Sequence, residues 1–394
     1  MAKKKNETEM PEEITKNKVS DVIERINKEL KKFDDKSFNV YFYVIDTKGV
    51  PSGSLLYIYK MAYELQEMGY NVTMLHNETD FVGIGQWAEK KYAELKHAKT
   101  NDRGITVSPS DFLVIPEIYT DIMSQTRNLS CKRIVLMQNF DYMTKIIPVG
   151  VHPYEYGITD VIVNTDKNEK LVKNNLPRMS VHKIRPGISS AMFRKNEKPK
   201  KMIVDFIVKD ANDASRIVKP FYWKYPQLKW VTFAQLSNLP QETFADALRD
   251  AAIAIVVDED TSFCYAALEA LKAGAIVIAK IPENTPDWML NEDGELSDSI
   301  VWVDTLDEAA DLVANLVAMW TRDDVPVELY AEMDKAASMH TMEDMREDVK
   351  SVFVDGFFAE RKNEIEKTKE KVLNDALNKS TPISDNKEEQ TVEK

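Results

Sequence analysis

The sequence predicts an α/β protein built from two doubly wound domains, each with a parallel sheet covered by helices. Strand-like apolar runs alternate with helix-like segments from about residue 39 to residue 320. The runs are continuously apolar, which is typical of parallel strands that are buried on both faces. The chain has 394 residues, of which 43% are hydrophobic, enough for two domains with ordinary cores.

The predicted elements of the first half follow a regular alternation. Its first helix ends at Gly69, a typical stop signal. We expect strands at 39–46, 71–76, 111–117, 132–139, 160–165 and 181–185, and helices at 54–69, 86–98, 119–129 and 168–175.

The second half repeats this pattern after a charged, proline-containing linker at 194–201. A helical stretch at 342–377 exceeds ordinary helix length, so we expect part of it to pack back across the domains. The expected strands are 202–208, 229–233, 253–257, 275–281 and 300–303, and the expected helices are 214–224, 241–250, 263–273 and 306–320.

These elements suggest a domain organisation. The first 37 residues form a polar extension with one amphipathic helix, in which Val19, Val22, Ile23, Ile26 and Leu30 recur at helical spacing. We expect a first Rossmann-like domain at 38–194, a second at 202–340, a C-terminal helix at 341–379 and a disordered tail at 380–394.

Composition excludes several classes of protein. The net charge of −13 disfavours general nucleic-acid binding, because such a surface repels phosphate backbones. The sequence contains no run of about 20 apolar residues, so we expect no membrane-spanning helix. The basic start lacks the apolar stretch of a signal peptide. The two cysteines, Cys131 and Cys264, argue against a disulfide framework or a zinc site and favour a cytoplasmic setting.

Two loops that follow strands carry candidate binding residues. In the first, Gly53 permits close approach of a ligand and Ser54 can cap the following helix. In the second, the N–H groups of residues 262–265 open a helix and could hold a diphosphate. Glu269 lies about two helical turns after Ser262, among apolar neighbours, where a carboxylate can accept hydrogen bonds from vicinal hydroxyls such as those of a ribose. The first loop could instead be a plain strand–helix turn with a capped helix, and Glu269 could instead be a solvated helix residue.

The second loop resembles the donor-binding motif of GT-B glycosyltransferases, especially glycosyltransferase family 4. That motif often reads Glu-Gly-Phe-Gly-Leu, three variable residues, then Glu followed by Ala-Leu-Ala-x-Gly. This chain keeps the second glutamate, Glu269, and the sequence Ala270-Leu271-Lys272-Ala273-Gly274. It departs elsewhere in the motif. Its residues there are Thr261, Ser262, Phe263, Cys264 and Tyr265.

Further segments agree in order with the same family. The run His182-Lys183-Ile184-Arg185-Pro186-Gly187-Ile188 resembles the family's Pro-Gly-Ile segment before its interdomain linker. The stretch that begins at Gly53 and ends in Met68-Gly69-Tyr70-Asn71-Val72 resembles its first glycine loop and helix. The resemblance covers roughly residues 38–360. It implies GT-B architecture, that is, two Rossmann-like domains facing a cleft, of which the first would bind the acceptor and the second the donor.

The resemblance also implies roles for individual residues. Glu269 would hold the donor ribose, while Thr261 stands where the family places a sugar-binding glutamate. Cations on the donor phosphates would be Lys209 with Arg216 or Lys219. Gly53, Ser54, Gln138 and Asn139 would border the transferred sugar or the acceptor. Asp141 and His152 are candidates for the base that takes the acceptor proton, although the leaving phosphate can also serve.

The implied function is a metal-independent, retaining transfer of a sugar from a nucleotide sugar, with no further cofactor. An envelope glycan or lipid is the usual acceptor class, so the location would be cytoplasmic or peripheral at a membrane. A viral-type enzyme that glycosylates modified DNA bases in an infected cell is an alternative. A non-catalytic scaffold of the same fold and a sugar-nucleotide epimerase are others. The oligomeric state is not readable.

Overall fold

The fold is seen in a computed structural model that describes residues 38–380, apart from Arg103 and Lys209. The extension and helix predicted at 1–37, the tail residues 381–394 and the candidate cation Lys209 therefore lie outside the described residues.

The first half forms a parallel sheet that has seven strands among the described residues, in the order β3-β2-β1-β4-β5-β6-β7. The strand order reverses between β1 and β4, which places a topological switch point at the carboxyl ends of these strands. The strands are β1 (Asn39–Tyr43), β2 (Asn71–His76), β3 (His97–Lys99), β4 (Phe112–Pro116), β5 (Lys132–Met137), β6 (Asp160–Val163) and β7 (Ser180–Lys183). The helices are α1 (Gly53–Glu67), α2 (Lys90–Ala93), α3 (Thr120–Gln125), α4 (Phe140–Ile146) and α5 (Asp166–Asn175).

The second half forms a parallel sheet with five described strands in the order β12-β11-β10-β8-β9. All seven residues of its central strand β10 are buried, as the continuous apolar run predicts. The strands are β8 (Lys201–Val208), β9 (Thr232–Gln235), β10 (Ala251–Val257), β11 (Ile276–Lys280) and β12 (Val301–Val303). The helices are α6 (Ala211–Lys224), α7 (Gln241–Asp250), α8 (Tyr265–Lys272), α9 (Leu306–Arg322) and α10 (Val327–Ser338).

A long helical segment follows at the C-terminal end, as predicted. It consists of α11 (Met342–Val349), a π-helical stretch (Lys350–Phe358) and α12 (Ala359–Ser380). The α11 helix packs on the first half, where Arg346 Nη1 lies 3.2 Å from Glu64 Oε2 of α1. Arg185 after β7 makes two hydrogen bonds to the Asp348 carboxylate, at 2.8 and 2.9 Å. These ion pairs attach α11 to the first sheet.

Among the described residues, Phe38 and those from 354 onward belong to a separate compact unit. Within this unit, the Phe38 and Phe358 rings lie 5.4 Å apart between centroids. None of the helices in the described part of the chain is both long and apolar enough to cross a bilayer.

The prediction of a helix at 86–98 is wrong for most of these residues. Only Lys90–Ala93 is helical, and His97–Lys99 forms β3, which pairs in parallel with β2. Pairing with the exposed edge of β2 overrides the local helix propensity of this segment. The strand predicted at 229–233 lies instead at Thr232–Gln235, and helices α4 and α10 were not predicted.

Candidate functional site

A cavity of about 540 Å³ lies where loops from the carboxyl ends of the two sheets meet. The first half contributes the start of α1 and the loops after β4 and β5, and the second half contributes the loops after β9 and β10 and the face of α8. This is the position at which open α/β sheets bind ligands. The candidates that line it are Gly53, Ser54, Gln138, Asn139, Thr261, Ser262, Phe263, Tyr265 and Glu269.

Glu269 lies on α8 and is only 9% exposed, with its side chain lining the cavity. Burial raises the pKa of this carboxyl above its usual range, while the charge of Lys60 on α1 opposes the rise. Burial also lowers the pKa of Lys60, whose Nζ donates a hydrogen bond to the Gly187 carbonyl at 2.7 Å. Lys60 and Glu269 come from opposite halves of the protein. For both groups, the removal of water on burial outweighs their mutual attraction.

Helices α1 and α8 both begin at the cavity. Ser52 caps α1 by accepting a hydrogen bond from the Leu55 N–H at 3.3 Å. At the start of α8, the Thr261 hydroxyl accepts from the N–H groups of Cys264 and Phe263, at 2.7 and 3.3 Å. The first-turn N–H groups from Tyr265 onward have no intrahelical acceptor. Two helix N-termini therefore bring partial positive charge to one cavity.

Direct hydrogen bonds join the halves beside these helix starts. Asn139 Nδ2 donates to the Asp260 carbonyl at 3.1 Å, and the Ser262 hydroxyl donates to the Gln138 carbonyl. Gln138 Nε2 also donates to the Ser54 carbonyl at 3.1 Å, which ties β5 to the start of α1. The predicted polar residues of both halves are thus brought together.

Cys264 is buried and does not line the cavity. Its backbone has φ of 58°, in the left-handed region, at the cap position of α8. A family glycine at this position would adopt the same conformation without the steric cost that cysteine bears.

The structure does not bring the predicted cations to the cavity. Arg216 is exposed and forms an ion pair with Asp307 at 3.3 Å, and Lys219 is exposed on α6. Lys209 lies outside the described residues. Among the described residues that line the cavity there is no lysine, arginine or histidine.

The two candidate bases also lie away from the cavity lining. The Asp141 carboxylate on α4 accepts a hydrogen bond from the Asn284 side chain of the second half. His152 Nδ1 accepts a hydrogen bond from the Tyr154 N–H at 3.1 Å and forms the cap of a short 3₁₀ turn. Asp141 therefore contributes to the contact between the halves, and His152 stabilises a local turn.

Glu117 lines the cavity and was not singled out from the sequence. It follows β4 directly, is 3% exposed, and its Oε1 accepts hydrogen bonds from the N–H groups of Gln138 and Asn139 at 3.1 and 2.9 Å. Burial raises its pKa to about 7, against the lowering effect of these hydrogen bonds. The sequence signal that could have indicated Glu117 is a carboxylate directly after an apolar strand.

Several buried polar atoms of the lining have no protein partner among the described residues. They are Trp87 Nε1, Gln138 Oε1, the Tyr265 hydroxyl and both side-chain amide atoms of Gln241. Trp87 and Gln241 are 5% and 7% exposed, and the Gln241 N–H donates to the Trp87 carbonyl at 2.7 Å. Unpaired buried polar groups are costly in the free protein, so this end of the cavity is suited to a hydrogen-bonding ligand or water.

Comparison with known proteins shows the fold. No family model and no curated protein matches the chain. The chain is similar to the solved structure of sucrose-phosphate synthase from Thermosynechococcus elongatus, with 11% identity and a TM-score of 0.50 over 84% of this chain and 99% of that one. It is similar to Anabaena HepE in complex with UDP-glucose, with 9% identity and a TM-score of 0.56 over 80% and 99%.

A third similar structure is an alpha-glucosyltransferase in complex with UDP and a 13-mer DNA containing an HMU base. It shares 12% identity with a TM-score of 0.52, over 79% of this chain and 95% of that one. These structures and the two parallel sheets confirm the predicted GT-B architecture. At such low identities the likeness extends to the fold alone.

Proposed function

We propose that this protein is a glycosyltransferase that moves a sugar from a nucleotide-sugar donor. The observation that carries the proposal is the buried carboxylate of Glu269, which lines the cavity four residues after the start of α8. Four residues of helix span about 6 Å. A diphosphate on the α8 N-terminus would therefore leave its ribose hydroxyls within reach of this carboxylate.

The phosphates would be held mainly by backbone groups. The N-termini of α1 and α8 offer free N–H groups and partial positive charge, as in other phosphate sites. Lys209 follows β8 in the sequence and is the remaining candidate for a cation on the phosphates. By resemblance to family 4, we propose a retaining transfer that needs no bound metal.

The nucleobase would occupy the end of the cavity at Gln241 and Trp87. The Gln241 side-chain amide offers an NH₂ donor group and an acceptor oxygen, and the Trp87 indole offers a further N–H donor. All of these atoms lack protein partners within the part of the chain that the structure describes. A heterocyclic base with adjacent donor and acceptor atoms would satisfy them, and UDP-glucose, which is bound in the HepE structure, carries such a base.

An envelope glycan or lipid remains our proposed acceptor class. Modified DNA is a second candidate, because one similar structure holds DNA with an HMU base. The net charge of −13 weakens that candidate, since binding to a duplex would require clustered cations. Binding to HMU-containing DNA that weakens steeply with salt would reverse this ranking.

A thermal-shift screen against UDP-, GDP-, ADP- and dTDP-glucose tests the function. A ligand at 100 times its dissociation constant stabilises the native state by about 2.7 kcal/mol, which is a readily measured shift. We expect one nucleotide sugar to stabilise the protein and then to release its nucleoside diphosphate on incubation. Stabilisation by none of the four would contradict the proposal. Binding without release would favour a scaffold, and a changed sugar without release would favour an epimerase.

A further inference from the structure

Glu117 occupies a position in the cavity that differs from those of the other carboxylates. It is the one described residue of the first half that places a carboxylate on the lining, whereas Asp258, Asp260 and Glu269 belong to the second half. Because the first half is the proposed acceptor side, Glu117 faces the donor from the side on which an acceptor would enter.

The Glu117 side chain is fixed in one orientation. Its Oε1 accepts two backbone hydrogen bonds, from Gln138 and Asn139 at the end of β5. Its second oxygen, Oε2, takes part in no hydrogen bond with another described residue, and the side chain lines the cavity. A carboxylate held at one oxygen and unoccupied at the other is suited to receive a proton from a bound hydroxyl.

We infer that Glu117 is the catalytic base that accepts the proton of the acceptor hydroxyl, an inference that rests on the proposed function. In this step the acceptor O–H bond breaks and its proton passes to the Glu117 carboxylate. The acceptor oxygen forms a bond to the anomeric carbon on the face from which the donor phosphate leaves, so that the configuration is retained. The bond from that carbon to the donor phosphate breaks, and its electron pair leaves with the nucleoside diphosphate.

The electrostatic surroundings agree with this role. Burial raises the pKa of Glu117 to about 7, so the group exchanges a proton near neutral pH. The titratable groups on the same lining are Tyr119 and Tyr142 from its own half. Those facing it from the second half are Asp258, Asp260, Tyr265 and Glu269.

The substitution Glu117→Gln tests the inference. Glutamine retains an oxygen for the two backbone N–H groups but cannot accept a proton from a hydroxyl. We expect UDP release from UDP-glucose, with water as the acceptor hydroxyl, to fall by about 10²- to 10⁴-fold. UDP affinity by calorimetry and the melting temperature should stay at wild-type values. The wild-type rate should rise with pH through a midpoint near 7, and the residual rate of Glu117→Gln should lack this rise.

Glu94→Gln is the matched control, because Glu94 is exposed on the surface and pairs with Lys90. It should leave the rate and the pH profile unchanged. A Glu117→Gln rate and pH profile equal to wild type would overturn the inference. A parallel loss of UDP affinity or melting temperature would also overturn it, because that pattern marks a structural role.

Two wild-type outcomes separate this inference from the proposed function. Failure of UDP, GDP, ADP and dTDP alike to bind the wild-type protein would refute the nucleotide site, and the role of Glu117 would fall with it. Binding of UDP without any release from UDP-glucose between about pH 5.5 and pH 9, a range that spans the titration of a general base near neutrality, would refute the base while leaving the nucleotide site in place.

Discussion

Replacing Gly53 by alanine should create a steric clash between the two halves of the protein at the cavity. Gly53 is the first residue of α1, and it lies against the ring of Tyr265, the first residue of α8. A Cβ atom at Gly53 would stand 2.7 Å from Tyr265 Cδ2 and 3.0 Å from Cγ. Ring carbons next to the backbone cannot swing aside as a flexible chain end can, so α8 or α1 must shift.

The expected cost follows from two opposing effects. Overpacking of this kind costs about 1–3 kcal/mol, and alanine in place of glycine in a helix returns about 0.5–1 kcal/mol. We therefore expect Gly53→Ala to lower the free energy of unfolding by up to about 2.5 kcal/mol in urea titrations. In a Tyr265→Ala background, which removes the ring, the same substitution should be neutral or slightly stabilising.

Gly104→Ala is the control for the intrinsic effect of the substitution. A Cβ at Gly104 meets nothing within 4 Å, and no positive φ opposes it. It should be neutral or stabilise the protein by up to about 1 kcal/mol. An equal effect of Gly53→Ala in the presence and absence of the Tyr265 ring would refute the contact between the helix starts.

Three further predictions concern buried polar groups. Burial raises the pKa of Glu269 in the folded protein above the ordinary value of 4.5. The free energy of unfolding of the wild type, measured in urea, should therefore fall relative to that of Glu269→Gln as the pH rises from about 5 to 8. Burial lowers the pKa of His340 from 6.5 to about 4, so acidification through this range should cost the wild type up to about 3 kcal/mol. His340→Asn should show a smaller loss in parallel urea titrations at about pH 7 and pH 4.5, and an equal loss would contradict the assignment. Gln241→Met should weaken UDP binding at least tenfold by calorimetry but leave pyrophosphate binding unchanged, and unchanged UDP binding would exclude Gln241 from the base subsite.

The sequence was sufficient to predict the two sheets because the strand signal was strong. The run that became β10 is apolar throughout and lies between helices, which allows few alternatives. The segment at 86–98 failed because its outcome depends on a distant partner. Residues 97–99 become a strand only when the edge of β2 is present to pair with them.

Residues of the candidate site could be predicted where a sequence motif indicated them. They could not be predicted where only the folded geometry brings them to the cavity. Glu269 stood out because a carboxylate among apolar helix residues needs an explanation. Glu117 looked like the end of a strand, because its two hydrogen bonds come from residues about twenty positions away. Gln241 lies in no motif, and the G-x-G-x-x-A match at residues 83–88 that includes Trp87 has no strand running into it and predicts no site. Their unpaired atoms become visible only once the loops after β2 and β9 are brought together.

Calorimetric titration of UDP into the wild-type protein and Glu269→Gln tests the central claim most directly, with the exposed Glu94→Gln substitution as a matched control. We expect UDP to bind the wild type and Glu94→Gln, and to bind Glu269→Gln at least tenfold more weakly at a melting temperature no lower than that of the wild type. Equal UDP affinity in all three proteins would contradict it.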